Sequence, residues 1–81
     1  MVTDTDWTSD AALDACGLAC PLPVLKARKV LLGLQPGKRL LVMATDPISA
    51  IDIPHFCKET GHRLLAADTA GNPLRFLIER V

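Results

Sequence analysis

The sequence lacks several features that would place the chain in a membrane or outside the cell. No apolar run is long enough to cross a bilayer as a helix. The first ten residues contain no lysine or arginine but include Asp4, Asp6 and Asp10, the opposite of the basic start of a secretory signal. The chain also has no internal repeat and no low-complexity segment. These absences predict a cytoplasmic protein that does not enter a membrane.

The chain has few cysteines, and their number is odd. Three cysteines cannot all pair with one another, so the chain cannot build a complete disulfide framework. A reducing compartment with at least one working thiol is the simpler explanation. The sequence therefore favours thiol chemistry over structural disulfides.

Net charge is also absent, although the charges are unevenly placed. Nine basic and nine acidic residues cancel, but all nine basic residues lie in residues 11–81, which carry a net charge of +3. This surplus is too small to indicate nucleic-acid binding. It is compatible with an acidic protein partner.

The 81 residues, 49% of them hydrophobic, predict one small domain after a polar tail. We expect the tail, residues 1–10, to be mobile and its lone Trp7 to have no core to join. Residues 11–81 predict the order β-α-β-α-β-β, with two helices on one face of a mixed four-stranded sheet. The expected elements are a strand at 12–15, a helix at 21–34, a strand at 39–45, a helical region at 46–60, and strands at 62–69 and 74–80.

Two details of these elements follow from capping and periodicity. Val24, Ala27, Leu31 and Leu34 share one face of the first helix, which predicts that this face is buried. Proline is unfavourable inside a helix, so we expect Pro54 to begin the better-formed half of the second helical region, with Asp52 as its cap. Asp46-Pro47 opens that region and Gly61 ends it.

The most informative stretch is Cys20-Pro21-Leu22-Pro23. Prolines suit the first turn of a helix, which predicts that Cys20 is the N-cap. The positive end of the helix dipole would then favour the thiolate, and the Leu22 N–H is the donor left within the turn to point at the sulfur. We therefore expect a stiff, exposed turn in which the pKa of Cys20 lies below the ordinary value of about 8.5.

The order of several short motifs resembles the TusA family of small sulfur carriers, also called SirA-like. The resemblance covers residues 11–81. The matching motifs are Leu13-Asp14, Gly17-Leu18, Cys20-Pro21-Leu22-Pro23, Asp46-Pro47, Asp52-Ile53-Pro54, Phe56-Cys57 and Gly61-His62.

The resemblance implies a two-layer α/β sandwich and a cysteine that carries sulfane sulfur as a persulfide. The matching cysteine is Cys20. The implied partners are a sulfur donor, either a cysteine desulfurase or a rhodanese-like protein, and a downstream acceptor protein. The pathways served by the family include tRNA thiolation, molybdenum-cofactor maturation and the oxidation of reduced sulfur. The carrier is expected to act as a free monomer without a cofactor.

The chemistry of the residues agrees with a relay. A thiolate at Cys20 could attack the outer sulfur of a donor persulfide, and the next thiolate could repeat the step on Cys20. No histidine or carboxylate lies within a few residues of Cys20, so a local general base is not predicted. Lys26, Arg28 and Lys29 form either an ordinary solvated helix face or a basic rim that steers acidic partners.

The remaining thiols and imidazoles have two interpretations each. Cys16 could resolve a Cys20 persulfide into a disulfide, but a small filler at the strand end is favoured. Cys57 is expected to be buried. His55 and His62 could fold back near Cys20, although surface positions are favoured. A zinc site is not predicted, because the cysteine and histidine spacings are not those of usual ligand pairs.

Three functional hypotheses remain open. The first is a sulfurtransferase that acts through Cys20. The second is a regulatory or binding domain that uses the basic helix face to engage a protein or RNA. The third is a redox module that needs both Cys16 and Cys20. Dependence on individual cysteines distinguishes them.

Overall fold

The computed structural model describes residues 7–81 and confirms the predicted element order. No boundary differs from the expected one by more than about three residues, close to the usual uncertainty at the ends of elements. The elements are β1 (Ala11–Ala15), α1 (Leu22–Leu32), β2 (Arg39–Ala44), α2 (Ser49–Thr60), β3 (Arg63–Asp68) and β4 (Leu74–Glu79).

The four strands form one mixed sheet in the order β1-β2-β4-β3. The β1 and β2 strands are parallel because α1 carries the chain back between them, whereas β4 is antiparallel to both β2 and β3. The apolar run of β2 therefore occupies a central position, as the sequence predicts. The parallel β1 and β2 strands also bring the loops that follow them to the same edge of the sheet.

Both helices pack on one face of the sheet and enclose the core. Ala27 and Leu31 of α1 are fully buried, with Val24 and Leu34 packed partly against them, so the predicted apolar face is confirmed. The second helix adds three buried hydrophobic side chains, and the sheet contributes the inward-facing residues of β2 and β4. These residues are Ile53, Phe56 and Cys57 from α2, and Leu40, Val42, Leu74, Phe76 and Ile78 from the sheet.

The second helix is continuous from Ser49 to Thr60, so the prediction that its better-formed half begins at Pro54 is wrong. Pro54 lies in the second turn, where its missing N–H removes only the bond to the Ala50 carbonyl. The buried side chains on both sides of it hold the helix together despite this loss. Asp52 is consequently not a cap, and its side chain is available for another contact. The helix ends at Gly61, whose φ of 83° is the predicted left-handed stop.

The opposite face of the sheet contacts part of the predicted tail. The Trp7 ring, for which the sequence offered no partner, lies over the guanidinium of Arg75, 4.3 Å from it. Asp10 is joined to Arg39, the first residue of β2, by two hydrogen bonds of 2.9 Å. Leu77 on this face is also buried, between its strand neighbours Leu41 and Ala66. Residues 1–6 of the predicted tail lie outside the described residues.

Candidate functional site

Cys20 is exposed in the turn between β1 and α1, but it is not the N-cap of the helix. The helix begins at Leu22, with Pro21 as its N-cap residue, after a cis Cys20–Pro21 peptide bond. The Leu22 N–H, expected to point at the sulfur, instead donates to the carbonyl of Ala19 at 2.9 Å. The turn closes on its own backbone, which leaves the sulfur without the predicted donor.

Asp46 fixes the backbone at Cys20 from the neighbouring loop. The Cys20 N–H donates to Oδ2 of Asp46 at 2.7 Å, and the Ile48 N–H donates to Oδ1 at 3.0 Å. The same two hydrogen bonds hold the pKa of the Asp46 carboxyl below its ordinary value. The Asp46 carboxylate therefore holds both the turn that leads into α2 and the backbone of Cys20.

A second bond joins the same two loops. The Gly17 N–H donates to the hydroxyl of Thr45 at 2.8 Å, and Gly17 has a φ of 82° that suits glycine. Gly17 follows β1 and Thr45 follows β2, so the parallel pairing of these strands brings the two loops together. The turn that presents Cys20 is therefore held from two positions.

The Cys20 sulfur contacts Asp52 of α2. Its Sγ donates to Oδ2 of Asp52, and the two atoms are 2.5 Å apart. This hydrogen bond, together with partial desolvation and the negative charges of Asp52 and Asp46, raises the pKa of the Cys20 thiol above its ordinary value. The predicted low pKa is therefore wrong for the isolated protein, because the hydrogen bond to Asp52 and the negative charges of Asp52 and Asp46 favour the protonated thiol. From the sequence, Asp52 is predicted to be a helix cap and is not placed at the sulfur.

Cys20 lies on a groove of about 500 Å³ between α1 and α2. Most of the wall is apolar, and charged groups lie along it. Its apolar lining is Pro21, Val24, Leu25 and Phe56, and its polar lining is Arg28, Asp52, His55, Glu59 and Thr60. Of the predicted basic rim, Arg28 lies on this groove, while Lys26 and Lys29 are exposed elsewhere on α1.

Large apolar side chains are exposed on both elements that carry the site. Leu22 and Leu25 of α1 are 43% and 51% exposed. Ile48 and Ile51, at the start of α2, are 50% and 70% exposed. Of these four side chains, Leu25 lines the groove beside Cys20.

The other two cysteines have different environments. Cys57 is buried in the core as predicted, and burial raises the pKa of its thiol to about 11. Cys16 is exposed after the end of β1, so it does not pack as the small apolar filler that the sequence favours. Its backbone N–H donates to Oδ1 of Asp14 at 3.0 Å, and a side-chain hydrogen bond with Asp14 raises the pKa of the Cys16 thiol. Cys57 is thus withdrawn from surface chemistry, while Cys16 and Cys20 are accessible.

The two histidines lie on the surface of α2 and at the edge of β3. His55 pairs with Glu59 one turn later in α2, at 3.3 Å, and both side chains line the groove. His62 packs its ring against Phe56 and accepts a hydrogen bond from the Val81 N–H at Nδ1. Burial and the nearby Arg80 charge lower the pKa of His62. Only His55 therefore shares the groove with Cys20.

Residues 7–81 contain neither a cluster of metal-binding side chains nor a membrane-spanning helix. No group of three histidine, cysteine or carboxylate side chains in this part of the chain could hold a metal ion. Within the same residues, no helix has both the length and the apolarity needed to cross a bilayer.

The fold and the site define a small α/β protein that presents one anchored, accessible cysteine beside an inter-helix groove. The sequence profile described as "Sulfurtransferase TusA" matches residues 11–80, so the chain belongs to the TusA family. That membership suggests a sulfur-carrier role.

A solved structure of a SirA-like protein from Desulfitobacterium hafniense has the same fold. It matches with a TM-score of 0.71 and 24% sequence identity, covering 85% of this chain and 93% of that chain. The similarity supports the two-layer arrangement of helices and sheet.

Proposed function

We propose that this protein is a cytoplasmic sulfur carrier that holds sulfane sulfur as a persulfide on Cys20 and relays it between two partner proteins. The observation that carries the proposal is the position of Cys20. Its sulfur is exposed, its backbone is anchored by Asp46, and it lies where the two helices open into a groove. Membership of the TusA family supports the same role.

The loading step is an exchange between two sulfur atoms. Sγ of Cys20 attacks the outer sulfur of a persulfide on the donor protein, the donor S–S bond breaks, and a new S–S bond forms at Cys20. The Cys20 proton passes to the departing donor thiolate, so no external oxidant or reductant is needed. The acceptor repeats the exchange and returns Cys20 to the thiol. Such chemistry requires access and a nucleophilic sulfur rather than a metal or an organic cofactor.

The surface around Cys20 supports docking of two partners in turn. Leu25 on the groove offers apolar contact, and Arg28 beside it supplies a positive charge for an acidic partner. Lys26 and Lys29 extend that positive charge along α1. A cysteine desulfurase or rhodanese-like protein would be the donor. The acceptor would belong to a pathway such as tRNA thiolation or molybdenum-cofactor maturation.

The proposal is tested by loading the purified protein. Incubation with a cysteine desulfurase and cysteine should add the mass of one sulfur atom, and treatment with dithiothreitol should remove it. Reactions without the desulfurase or without cysteine are the controls. If the protein gains no sulfur while its Cys20 thiol is shown to be free, the carrier proposal is wrong and a binding role would be favoured. A Cys16–Cys20 disulfide formed instead of a persulfide would favour the dithiol redox role.

A further inference from the structure

The Cys20–Asp52 contact joins two elements that are far apart in the sequence, and it depends on the chemical state of the sulfur. Asp52 is in the first turn of α2, and its N–H is held by the Ile48 carbonyl at 2.9 Å. Its half-buried carboxylate accepts a hydrogen bond from Sγ of Cys20. Continuity of α2 through Pro54 sets the direction of this carboxylate towards the α1 side of the groove.

Only a protonated sulfur can make this contact. A carboxylate is an acceptor, so Sγ must supply the hydrogen. A thiolate in the same position would place two negative charges in contact, with the Asp46 carboxylate also bound at the Cys20 backbone. The other charged groups facing the groove are Arg28 from α1 and His55 and Glu59 from α2, and the last two pair with each other.

A persulfide removes the basis of the contact. Once Sγ is bonded to a transferred sulfur it has no hydrogen to donate, and the outer sulfur, when ionised, is repelled by the carboxylate. We propose that Asp52 is a positioning residue that retains the unloaded thiol of Cys20 in the groove and releases the side chain when it carries sulfur. This inference rests on the proposed function and adds a residue that responds to the state of the carrier.

Retention has a chemical consequence for the empty carrier. A thiol held in protonated form reacts slowly with small electrophiles and oxidants, since the thiolate is the reactive species. A donor protein that docks over the groove can displace the Asp52 contact and use the sulfur. Asp52 would therefore protect empty Cys20 from reactions that do not involve a partner.

The test measures iodoacetamide alkylation of Cys20 against pH, with the alkylated peptide identified by mass spectrometry. Asp52→Asn and Asp52→Ala should both move the midpoint of the pH–rate profile to lower pH. Each pH unit by which this midpoint falls raises the thiolate fraction at neutral pH about tenfold. A less basic thiolate is also less nucleophilic, so the net acceleration of alkylation is about threefold. Using two variants guards against one of them failing to fold.

The chain offers a matched control at its other exposed cysteine. Asp14→Asn removes the same charge beside Cys16, which has a hydrogen-bonded carboxylate of its own. It should accelerate alkylation of Cys16 and leave the profile of Cys20 unchanged. A shift at Cys20 in this control as large as that in Asp52→Asn would show a general charge effect and overturn the assignment to Asp52.

The state dependence is tested by repeating the alkylation on protein loaded with sulfur. The effect of Asp52→Asn should be smaller on the persulfide than on the empty thiol. Equal effects in both forms, or an unchanged profile of empty Cys20, would overturn the inference while leaving sulfur loading, and hence the proposed function, intact. A different outcome would overturn the proposed function: neither the parent protein nor any variant loads sulfur, while the alkylation midpoint of empty Cys20 shifts as expected. The carrier function would then be wrong, together with the release step that rests on it.

Discussion

The N–H of Cys20 donates to Oδ2 of Asp46 across 2.7 Å, although 26 residues separate them in the chain. The bond exists because β1 and β2 are parallel neighbours, so the residues that follow them emerge side by side. The backbone of the candidate carrier residue is consequently held by a different loop from the one that contains it.

Removing this carboxylate should loosen Cys20 specifically. Asp46→Ala deletes the acceptor of both the Cys20 and Ile48 amides, so hydrogen exchange at these two amides should accelerate on the order of tenfold or more. The measurement is amide exchange followed by NMR. Asp68→Ala is the control, because it removes a similar acceptor of the Ala70 and Gly71 amides in the β3–β4 turn. Unchanged protection of Cys20 in Asp46→Ala would contradict the anchoring role.

Acid should weaken the same anchor. The pKa of Asp46 is lowered by its two backbone hydrogen bonds, so the folded state binds its proton less tightly than the unfolded chain. This contribution to stability is present above the unfolded value of about 4 and is lost as the pH falls through the lower folded value. Urea unfolding at a series of pH values should show a smaller loss below pH 4 in Asp46→Asn than in the parent protein.

The two prolines of the site should differ in their effect on stability. Pro23 is fully buried, whereas Pro21 is exposed. Pro23→Ala should lower the free energy of unfolding by about 1 kcal/mol through lost packing, and Pro21→Ala should change it by less than about 0.5 kcal/mol. We expect Pro21→Ala to slow sulfur transfer although the free energy of unfolding hardly changes, because the substitution alters the turn that presents Cys20. Equal urea midpoints for the two variants would contradict the burial difference.

The buried thiol predicts an alkaline weakness. Burial raises the pKa of Cys57 to about 11, so the folded state holds the Cys57 proton more tightly than the unfolded chain. Its contribution to stability is complete below the unfolded value of about 8.5 and is lost as the pH rises through about 11. Cys57→Ala should therefore lose less stability over this range than the parent protein. In alkylation at neutral pH, Cys57 should react last until urea unfolds the chain.

Trp7 provides a spectroscopic reporter for the sheet face opposite the helices. Its ring lies over Arg75, a cation–π contact worth about 0.5–1 kcal/mol at an exposed site. Arg75→Ala should shift Trp7 fluorescence towards longer wavelength, because the ring would become more exposed to water. Arg63→Ala on the neighbouring strand β3 is the control. An unchanged spectrum in Arg75→Ala would show that the contact does not hold Trp7 in solution.

The fold could be predicted from sequence because its signals are local and mutually consistent. The period of Val24, Ala27 and Leu31, the apolar run of β2 and the stop at Gly61 each identify an element without knowledge of the others. The Pro54 prediction was wrong because helix propensity is a local quantity, whereas the helix survives through burial of Ile53, Phe56 and Cys57 against the sheet.

The site could be predicted only in part. The Cys-Pro-Leu-Pro motif identifies an exposed cysteine at a helix start, and the structure places Cys20 there. Its two carboxylate neighbours could not be found in this way, because Asp46 and Asp52 reach Cys20 through strand pairing and helix packing. The electrostatic prediction failed for that reason, since the helix dipole is visible in local sequence and the contact with Asp52 is not.

The most direct test of the account compares sulfur loading in three single variants. Cys20→Ser, Cys16→Ser and Cys57→Ser are each incubated with a cysteine desulfurase and cysteine, and their intact masses are measured. Cys20→Ser should fold but gain no sulfur, whereas Cys16→Ser and Cys57→Ser should gain one sulfur atom like the parent protein. Loss of loading in Cys16→Ser as well would favour the dithiol role, and equal loading of all three variants would contradict the assignment of the carrier to Cys20.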